Sequence, residues 1–368
     1  MPEKIKILIS GGGTGGHIFP AIAIANALKL KLKDVDILFV GAKGRMEMEK
    51  VPQAGYPIKG LWISGLQRSL DLSNLAFPFK LVSSLMGAAK IIKQFKPDVA
   101  IGTGGYASGP LLYMAARKKI PTLILEQNSY PGITNKLLGK TVNKICVAYK
   151  ELEKYFLKEK IVVTGTPIRK EILDLQVSRE EGLEYFKLQS KKPVLLIIGG
   201  SQGAQKINEA IAKNLEEILA LNISIIWQSG KPSFEMAKAA AAKSANSDAV
   251  RVIDFITRMD MAYAAADLII SRAGAIAIAE IIAVNKAAIF IPLPSAAEDH
   301  QSKNAATLVK GHAAVLVKES EVDEKLLKTI NDLIKVKSTR LILAQNLKRF
   351  ERPDATERIV EEVIELMK

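Results

Sequence analysis

The stretch Ile5-Lys6-Ile7-Leu8-Ile9-Ser10-Gly11-Gly12-Gly13-Thr14-Gly15-Gly16-His17-Ile18-Phe19-Pro20 decides the fold. Residues 5–9 form a short apolar, β-branched run that reads as a buried strand. From Gly11 to Gly16 every residue except Thr14 is glycine. Pro20 and the Ala-rich residues 21–30 then read as a helix. Strand, glycine loop and helix in this order set backbone N–H groups against a phosphate. Glycine admits close approach, and the helix start offers unpaired donors and a partial positive charge. The letters Gly11-x-Gly13-x-x-Gly16 match the dinucleotide fingerprint, which wants an acid at the end of the second strand. That strand, 35–40, ends in Gly41, and Asp36 lies at its start, the wrong end for a ribose. His17 places an imidazole inside the loop at the mouth of the cradle, where a base or a substrate contact suits it.

Outward from this element, apolar strands alternate with helical stretches, which predicts a parallel sheet covered by helices. A charged helix is expected over 43–51, a loop-rich stretch over 52–72, and a helix or helix pair broken near Pro78 over 75–95. Residues 97–106 form a second strand followed by a glycine loop, Gly102-Thr103-Gly104-Gly105-Tyr106. A strand at 121–125 ends in Glu126-Gln127-Asn128. Ligands bind at the carboxyl ends of such strands, so Gly11–His17, Gly102–Tyr106 and Glu126–Asn128 are expected on one rim. The theme returns 188 positions after Gly11, with a strand at 193–198, the loop Gly199-Gly200-Ser201-Gln202-Gly203-Ala204 and a helix over 207–221. Strands follow at 223–227, 250–253 and 268–270, with 287–291 as the last. Ser271 to Ala275 opens a helix carrying Glu280, and a polar loop holds Glu298-Asp299-His300-Gln301. Terminal helices are expected over 326–350 and 355–367. The expected fold is α/β, two Rossmann-like doubly wound domains facing across a cleft. The boundaries are 1–166 and 167–344, with a helix from about 345 to 368 packing back on the first.

The chain has 368 residues, 48% of them apolar, enough for sizeable cores. The single cysteine, Cys146, excludes an internal disulfide and suits a reducing compartment. No N-terminal signal is visible, and no run reaches the ~18 apolar residues of a spanning helix. The net charge of +14 is uneven: residues 1–168 carry +13 and residues 169–368 carry +1. A cationic first half suits nucleic acid, an anionic membrane surface or an anionic substrate. Aromatic residues make up only 6% of the chain, too few stacking platforms to favour nucleic acid. Phe77 and Phe79 beside Lys80 suit a helix lying in a membrane interface.

The three histidines, His17, His300 and His312, lie far apart, and no metal site is expected. Asp34-x-Asp36 precedes a strand, away from the rim. No Gly-x-x-x-x-Gly-Lys-Ser/Thr follows a strand. Gly199 to Gly203 fits the letters of a nucleophile elbow, with Ser201 as nucleophile and His300 as base. The opening loop has no central serine, so a shared phosphate-cradle role explains both loops better. Two such domains suit group transfer, one loop holding a leaving diphosphate and the other an anionic acceptor. Loop amides, a helix start and Arg169 can meet the leaving-group charge without a metal, and His17 is the best-placed base.

Six segments occur in order. They are Gly12-Gly13-Thr14-Gly15-Gly16-His17-Ile18-Phe19-Pro20, Gly104-Gly105-Tyr106-Ala107-Ser108-Gly109-Pro110, Glu126-Gln127-Asn128, Thr164-Gly165-Thr166-Pro167-Ile168-Arg169, Gly199-Gly200-Ser201-Gln202-Gly203-Ala204 and His300-Gln301-x-x-Asn304-Ala305. Together, over nearly the whole chain, they resemble the MurG family of bacterial N-acetylglucosaminyltransferases of peptidoglycan synthesis. The resemblance implies an inverting, metal-independent glycosyltransferase of the GT-B fold with no cofactor. It would move N-acetylglucosamine from UDP-N-acetylglucosamine to the 4-hydroxyl of undecaprenyl-diphosphate-linked muramoyl-pentapeptide. It also implies a peripheral place on the cytoplasmic face of the plasma membrane.

By the same resemblance Thr14, Gly15, Gly16, Asn128, Arg169, Ser201, Ile256, Ala275, Ile276, Ala277, Ile278, Ala279, Glu280 and Gln301 would contact the UDP-sugar. Glu280 would hold the ribose hydroxyls, Arg169 and Ser201 the diphosphate. Gly104, Gly105, Tyr106, Glu126 and Asn135 would face the acceptor, and His17 would be the base. Leu125 stands where several relatives have His, Ala277 and Ala279 replace hydroxyl residues, and Thr166 sits where Asn is common. A UDP-N-acetylglucosamine 2-epimerase-like enzyme is the first alternative, and a nicotinamide-dependent oxidoreductase the second.

Overall fold

The computed structural model describes residues 4–65, 76–189, 191–199 and 203–368. They form two compact units, Met1–Ile168 with Arg352–Lys368, and Arg169–Glu351. The first unit holds β1 (Ile5–Gly11), β2 (Val35–Ala42), β3 (Ile58–Leu61), β4 (Val99–Gly104), β5 (Thr122–Glu126), β6 (Lys144–Val147) and β7 (Ile161–Val163). Their order is β3-β2-β1-β4-β5-β6-β7, with every pairing parallel. Parallel strands need crossovers that put helices on both faces, so β1, β2, β4 and β5 are buried along successive residues rather than at alternate ones. Ile7 and Ile9 enter one core with Ile24, Phe39, Ile101 and Leu123. Leu8, between them, points to the opposite core with Val40, Ala100, Leu111 and Ile124.

Helix Ala355–Leu366, at the end of the chain, completes the first of these cores with Ile359, Val360 and Val363. Its polar side pairs Glu361 with Lys31 at 3.3 Å and Glu362 with Lys144 at 3.0 Å. Cys146 is fully buried in the same core, and burial pushes its thiol up to about 12, so it is an inert core residue.

The second unit holds β8 (Val194–Ile198), β9 (Ser224–Gln228), β10 (Val250–Ile253), β11 (Leu268–Ser271), β12 (Ala288–Phe290) and β13 (Val315–Leu316). Their order is β10-β9-β8-β11-β12-β13, again parallel. The two units thus repeat one architecture, as the two glycine loops suggested.

Several elements differ from the sequence expectation, each for a local reason. The first helix is Gly15–Lys31, so His17 lies in its first turn and not in the loop. Thr14 supplies the extended residue before it. Helical glycine costs only about 1 kcal/mol against alanine, which burial of Ile18, Ala21 and Ile24 offsets. Helix Phe77–Phe95 is unbroken, because Pro78 sits in its first turn, where a missing N–H forfeits nothing; position 75 lies outside the described residues. β3 occupies part of the stretch expected as loop, being too short to show a period. The 207–221 helix is two pieces, Gln205–Lys213 and Leu215–Leu219. Asn214 divides them, its Nδ2 donating back to the Ala210 carbonyl at 2.8 Å. The 326–350 helix is also two, Val322–Lys335 and Lys337–Leu347. β12 is not the last strand, since the two-residue β13 follows at the sheet edge.

Each sheet grows away from its first strand in both directions, so each has one switch point. These are β1/β4 and β8/β11. The crevice beyond the carboxyl ends of strands at such a point is where open α/β sheets bind ligands.

Candidate active site

At the β1/β4 switch point two glycine loops meet. The Gly12 amide donates to the Gly104 carbonyl at 3.2 Å. Gly104 and Gly105 have φ of +106° and +90°, which side-chain-bearing residues rarely adopt. A Cβ on Gly104 would lie 2.4 Å from His17 Nδ1, and one on Gly105 would lie 2.3 Å from the Gly12 carbonyl oxygen. The glycines therefore make room for the imidazole and for the neighbouring loop.

His17 Nδ1 lies 2.9 Å from the Thr103 carbonyl oxygen, and Thr103 Oγ1 donates to the His17 carbonyl at 2.8 Å. A carbonyl oxygen only accepts, so Nδ1 carries the proton in the neutral ring and the basic lone pair is on Nε2. Gln127 Nε2 donates to the same Thr103 carbonyl at 3.0 Å, fixing its position. In the first turn of the helix, His17 and Ile18 turn their amides to the Thr14 carbonyl. The Gly15 and Gly16 amides have no acceptor among the described residues and point out of the helix start.

Glu126 is buried, and both its oxygens are occupied. Oε1 accepts from the Asn128 amide at 3.0 Å and from Asn128 Nδ2 at 3.1 Å. Oε2 accepts from the Gly132 amide at 3.0 Å and from Asn135 Nδ2 at 2.9 Å. Asn135 Nδ2 also reaches the Leu125 carbonyl at 3.1 Å, while its buried Oδ1 finds no partner among the described residues. Glu126 and Asn135 thus shape the 126–135 loop from within. Tyr106 is half-exposed and lies over Gly13 and against Gly65.

At the β8/β11 switch point the helix Ala275–Ala283 begins. The Ile278 amide bonds to the Gly274 carbonyl at 3.0 Å, and the amides of Ala275, Ile276 and Ala277 have no acceptor among the described residues. A Cβ on Gly274 would meet nothing within 4 Å, so the space before this helix start is open. Three outward amides and the positive end of the dipole make a seat for an anion.

One turn on, Glu280 is 3% exposed and fully engaged. Arg169 donates to its Oε1 from Nε at 2.9 Å and from Nη2 at 2.8 Å, and the Tyr263 hydroxyl donates to Oε2 at 3.0 Å. Burial, and then the Glu280 charge, push the Tyr263 phenol well above its ordinary value, so it remains a donor. Elsewhere in the second unit, Gln228 Oε1 accepts from the Ile256 amide at 3.0 Å, and Gln301 Oε1 accepts from the Leu293 amide at 3.0 Å. Ile278 is buried, while Ile276, Ala277 and Ala279 are half-buried. Ser201 lies outside the described residues.

By unit, the named residues divide into Thr14, Gly15, Gly16, His17, Gly104, Gly105, Tyr106, Glu126, Asn128 and Asn135 in the first, and Arg169, Ile256, the 275–280 turn and Gln301 in the second. Sequence reasoning missed Glu47 and Tyr263, and it placed Thr103 on the rim without a role of its own. Glu47 reads as one charge in a charged helix, and Tyr263 as a core aromatic in an Ala-rich run.

Residues 7–147 match the glycosyltransferase family 28 N-terminal domain, and residues 194–359 match its C-terminal domain. A Flavobacterium psychrophilum protein named UDP-N-acetylglucosamine--N-acetylmuramyl-(pentapeptide) pyrophosphoryl-undecaprenol N-acetylglucosamine transferase is 52% identical, over 99% of this chain and 98% of that one. The crystal structure of Acinetobacter baumannii MurG aligns with a TM-score of 0.79 at 29% identity, covering 99% of this chain and 100% of that one. A UDP-GlcNAc 2-epimerase from Neisseria meningitidis aligns with a TM-score of 0.65 over 99% of this chain and all of its own. At 14% identity it shares the fold alone. The fold is GT-B, and the enzyme class is glycosyltransferase rather than oxidoreductase or hydrolase. The chain belongs to glycosyltransferase family 28, within the MurG family of N-acetylglucosamine transferases.

Proposed function

We propose that the protein transfers N-acetylglucosamine from UDP-N-acetylglucosamine to the 4-hydroxyl of undecaprenyl-diphosphate-linked N-acetylmuramoyl-pentapeptide, with inversion at the sugar. The observation that carries this is a likeness running the full length of the chain, through both switch points, to enzymes named for that transfer. The epimerase alternative has only a shared fold behind it. In the proposed reaction His17 Nε2 takes the proton of the acceptor hydroxyl. The hydroxyl oxygen forms the new bond to C1, and the C1–O bond to UDP breaks with its electron pair on the diphosphate. The amides of Ala275, Ile276 and Ala277 and the Arg169 guanidinium meet that charge.

Glu280 and Arg169 serve this scheme only by exchanging partners. Ribose hydroxyls would donate to Glu280 in place of Arg169, which turns to the diphosphate. Ser201, Ile256 and Gln301 complete the donor site of the second unit. Gly104, Gly105 and Tyr106 face the acceptor. Glu126 and Asn135 act through the loop they hold.

We further propose peripheral attachment to the cytoplasmic face of the plasma membrane. Among the described residues no helix is long and apolar enough to cross a membrane. On helix Phe77–Phe95, however, Phe79, Val82 and Met86 share an exposed face that continues into Lys90 and Lys93. An apolar stripe merging into lysines suits an anionic interface. Full-length protein is expected to pellet with anionic vesicles at low salt and to be released as salt rises. Equal pelleting with neutral vesicles would contradict the electrostatic part. The test of the reaction is transfer of labelled N-acetylglucosamine to a short-chain muramoyl-pentapeptide lipid diphosphate. Label remaining wholly in the nucleotide sugar would overturn it.

A further inference from the structure

The glycine loop of the first unit is not an empty cradle, because a carboxylate already fills part of it. Glu47 heads the helix Glu47–Gln53, and its side chain is 0% exposed. Its Oε2 accepts from the Gly13 amide at 2.9 Å and its Oε1 from the Ala42 amide at 2.9 Å. Two glycines exist to admit it. A Cβ on Gly12 would lie 2.1 Å from Glu47 Oε1, and one on Gly41 would lie 2.5 Å from Glu47 Cγ. The contact joins elements far apart in sequence: the end of β2, the start of the 47–53 helix and the loop after β1.

The loop that Glu47 grips is the one that seats His17. Gly12 is held on its other side by Gly104 and Gly105, whose lack of side chains makes room for His17 and for the Gly12 carbonyl. Thr14, one residue beyond Gly13, receives the amides that start the His17 turn. A buried acceptor bonded to two backbone donors cannot be lost without leaving both unsatisfied. We propose that Glu47 is a positioning residue for the acceptor-side catalytic loop: its carboxylate fixes Gly12 to Thr14 and thereby places the His17 imidazole. The kinetic part rests on the transfer reaction proposed above. A corollary is that the Gly13 amide is already taken and does not serve a bound phosphate; the Gly15 and Gly16 amides are the outward donors of this loop.

The test uses the full chain with Glu47→Gln and, as a second variant, Glu47→Asp. Glutamine matches the volume but turns an N–H₂ toward one of two N–H groups, and aspartate is too short to reach both. Each variant is read by transfer kinetics, by UDP affinity, and by NMR of the Gly13 amide and the His17 ring nitrogens. The expected result is a kcat lower by about 10- to 100-fold, the scale of a 1 Å misplacement. UDP affinity should stay within about twofold, and the Gly13 and His17 signals should move. A Glu47 serving stability alone would lower the unfolding temperature and leave kcat per folded molecule and the His17 signals at wild-type values, which would overturn the proposal. If wild-type protein transfers no sugar, the reaction reading falls, and the NMR arm still decides Glu47. Unmoved His17 signals would overturn the positioning role, and moved ones would support it.

Discussion

Replacing His17 by alanine is expected to lower turnover by roughly 10²–10⁴-fold, the usual contribution of a positioned general base, while UDP affinity stays near wild type. The asymmetry follows from the local chemistry. The ring is anchored through Nδ1 to the Thr103 carbonyl, so its basic nitrogen is fixed in direction as well as in protonation. The residues proposed to carry most of the nucleotide lie in the other unit, which the substitution does not touch. Turnover measured at saturating donor and acceptor, beside a UDP titration, separates the two effects. A loss of less than about tenfold, short of the scale of base catalysis, would remove His17 from that role. His17→Gln would keep a donor toward Thr103 and lose the base, so it should be as slow as alanine.

The second large effect is expected at Glu280. Glu280→Ala should weaken donor binding by roughly 10- to 150-fold, from the ~1.5–3 kcal/mol of a hydrogen bond to a charged group. It also strands two partners, Arg169 and the fully buried Tyr263 hydroxyl. An orphaned buried donor costs ~1–3 kcal/mol, so the variant should unfold at a lower temperature as well. Glu280→Gln distinguishes the two losses. Its amide oxygen can still accept from Tyr263, recovering much of the stability, while the charge facing Arg169 is gone and donor affinity stays low. An unchanged donor KM in either variant would count against the ribose contact.

How much of this was visible in the chain depends on the distance over which each feature is encoded. The glycine loops, the strands around them and Glu280 on its helix are local patterns, and the switch points follow from strand order once the βα alternation is recognised. The first helix begins earlier than its letters suggest, because Gly15 and Gly16 carry a local preference against helix that tertiary burial overrides. β3 was hidden because four residues against β2 carry no period. The partners of the site residues were invisible for another reason. Glu47 meets Gly13 across 34 positions, and Arg169 meets Glu280 across 111. Nothing in a single sequence states such pairings. Without them Glu126 and Arg169 look like ligand contacts, whereas in this structure both are engaged within the protein.

The measurement that tests the account most directly is transfer of labelled N-acetylglucosamine, with EDTA present and with each substrate omitted in turn. Label is expected in a disaccharide lipid only when UDP-N-acetylglucosamine and the muramoyl-pentapeptide lipid diphosphate are both supplied. Conversion of the nucleotide sugar without any acceptor, or no labelled lipid from a protein that still binds UDP, would contradict it.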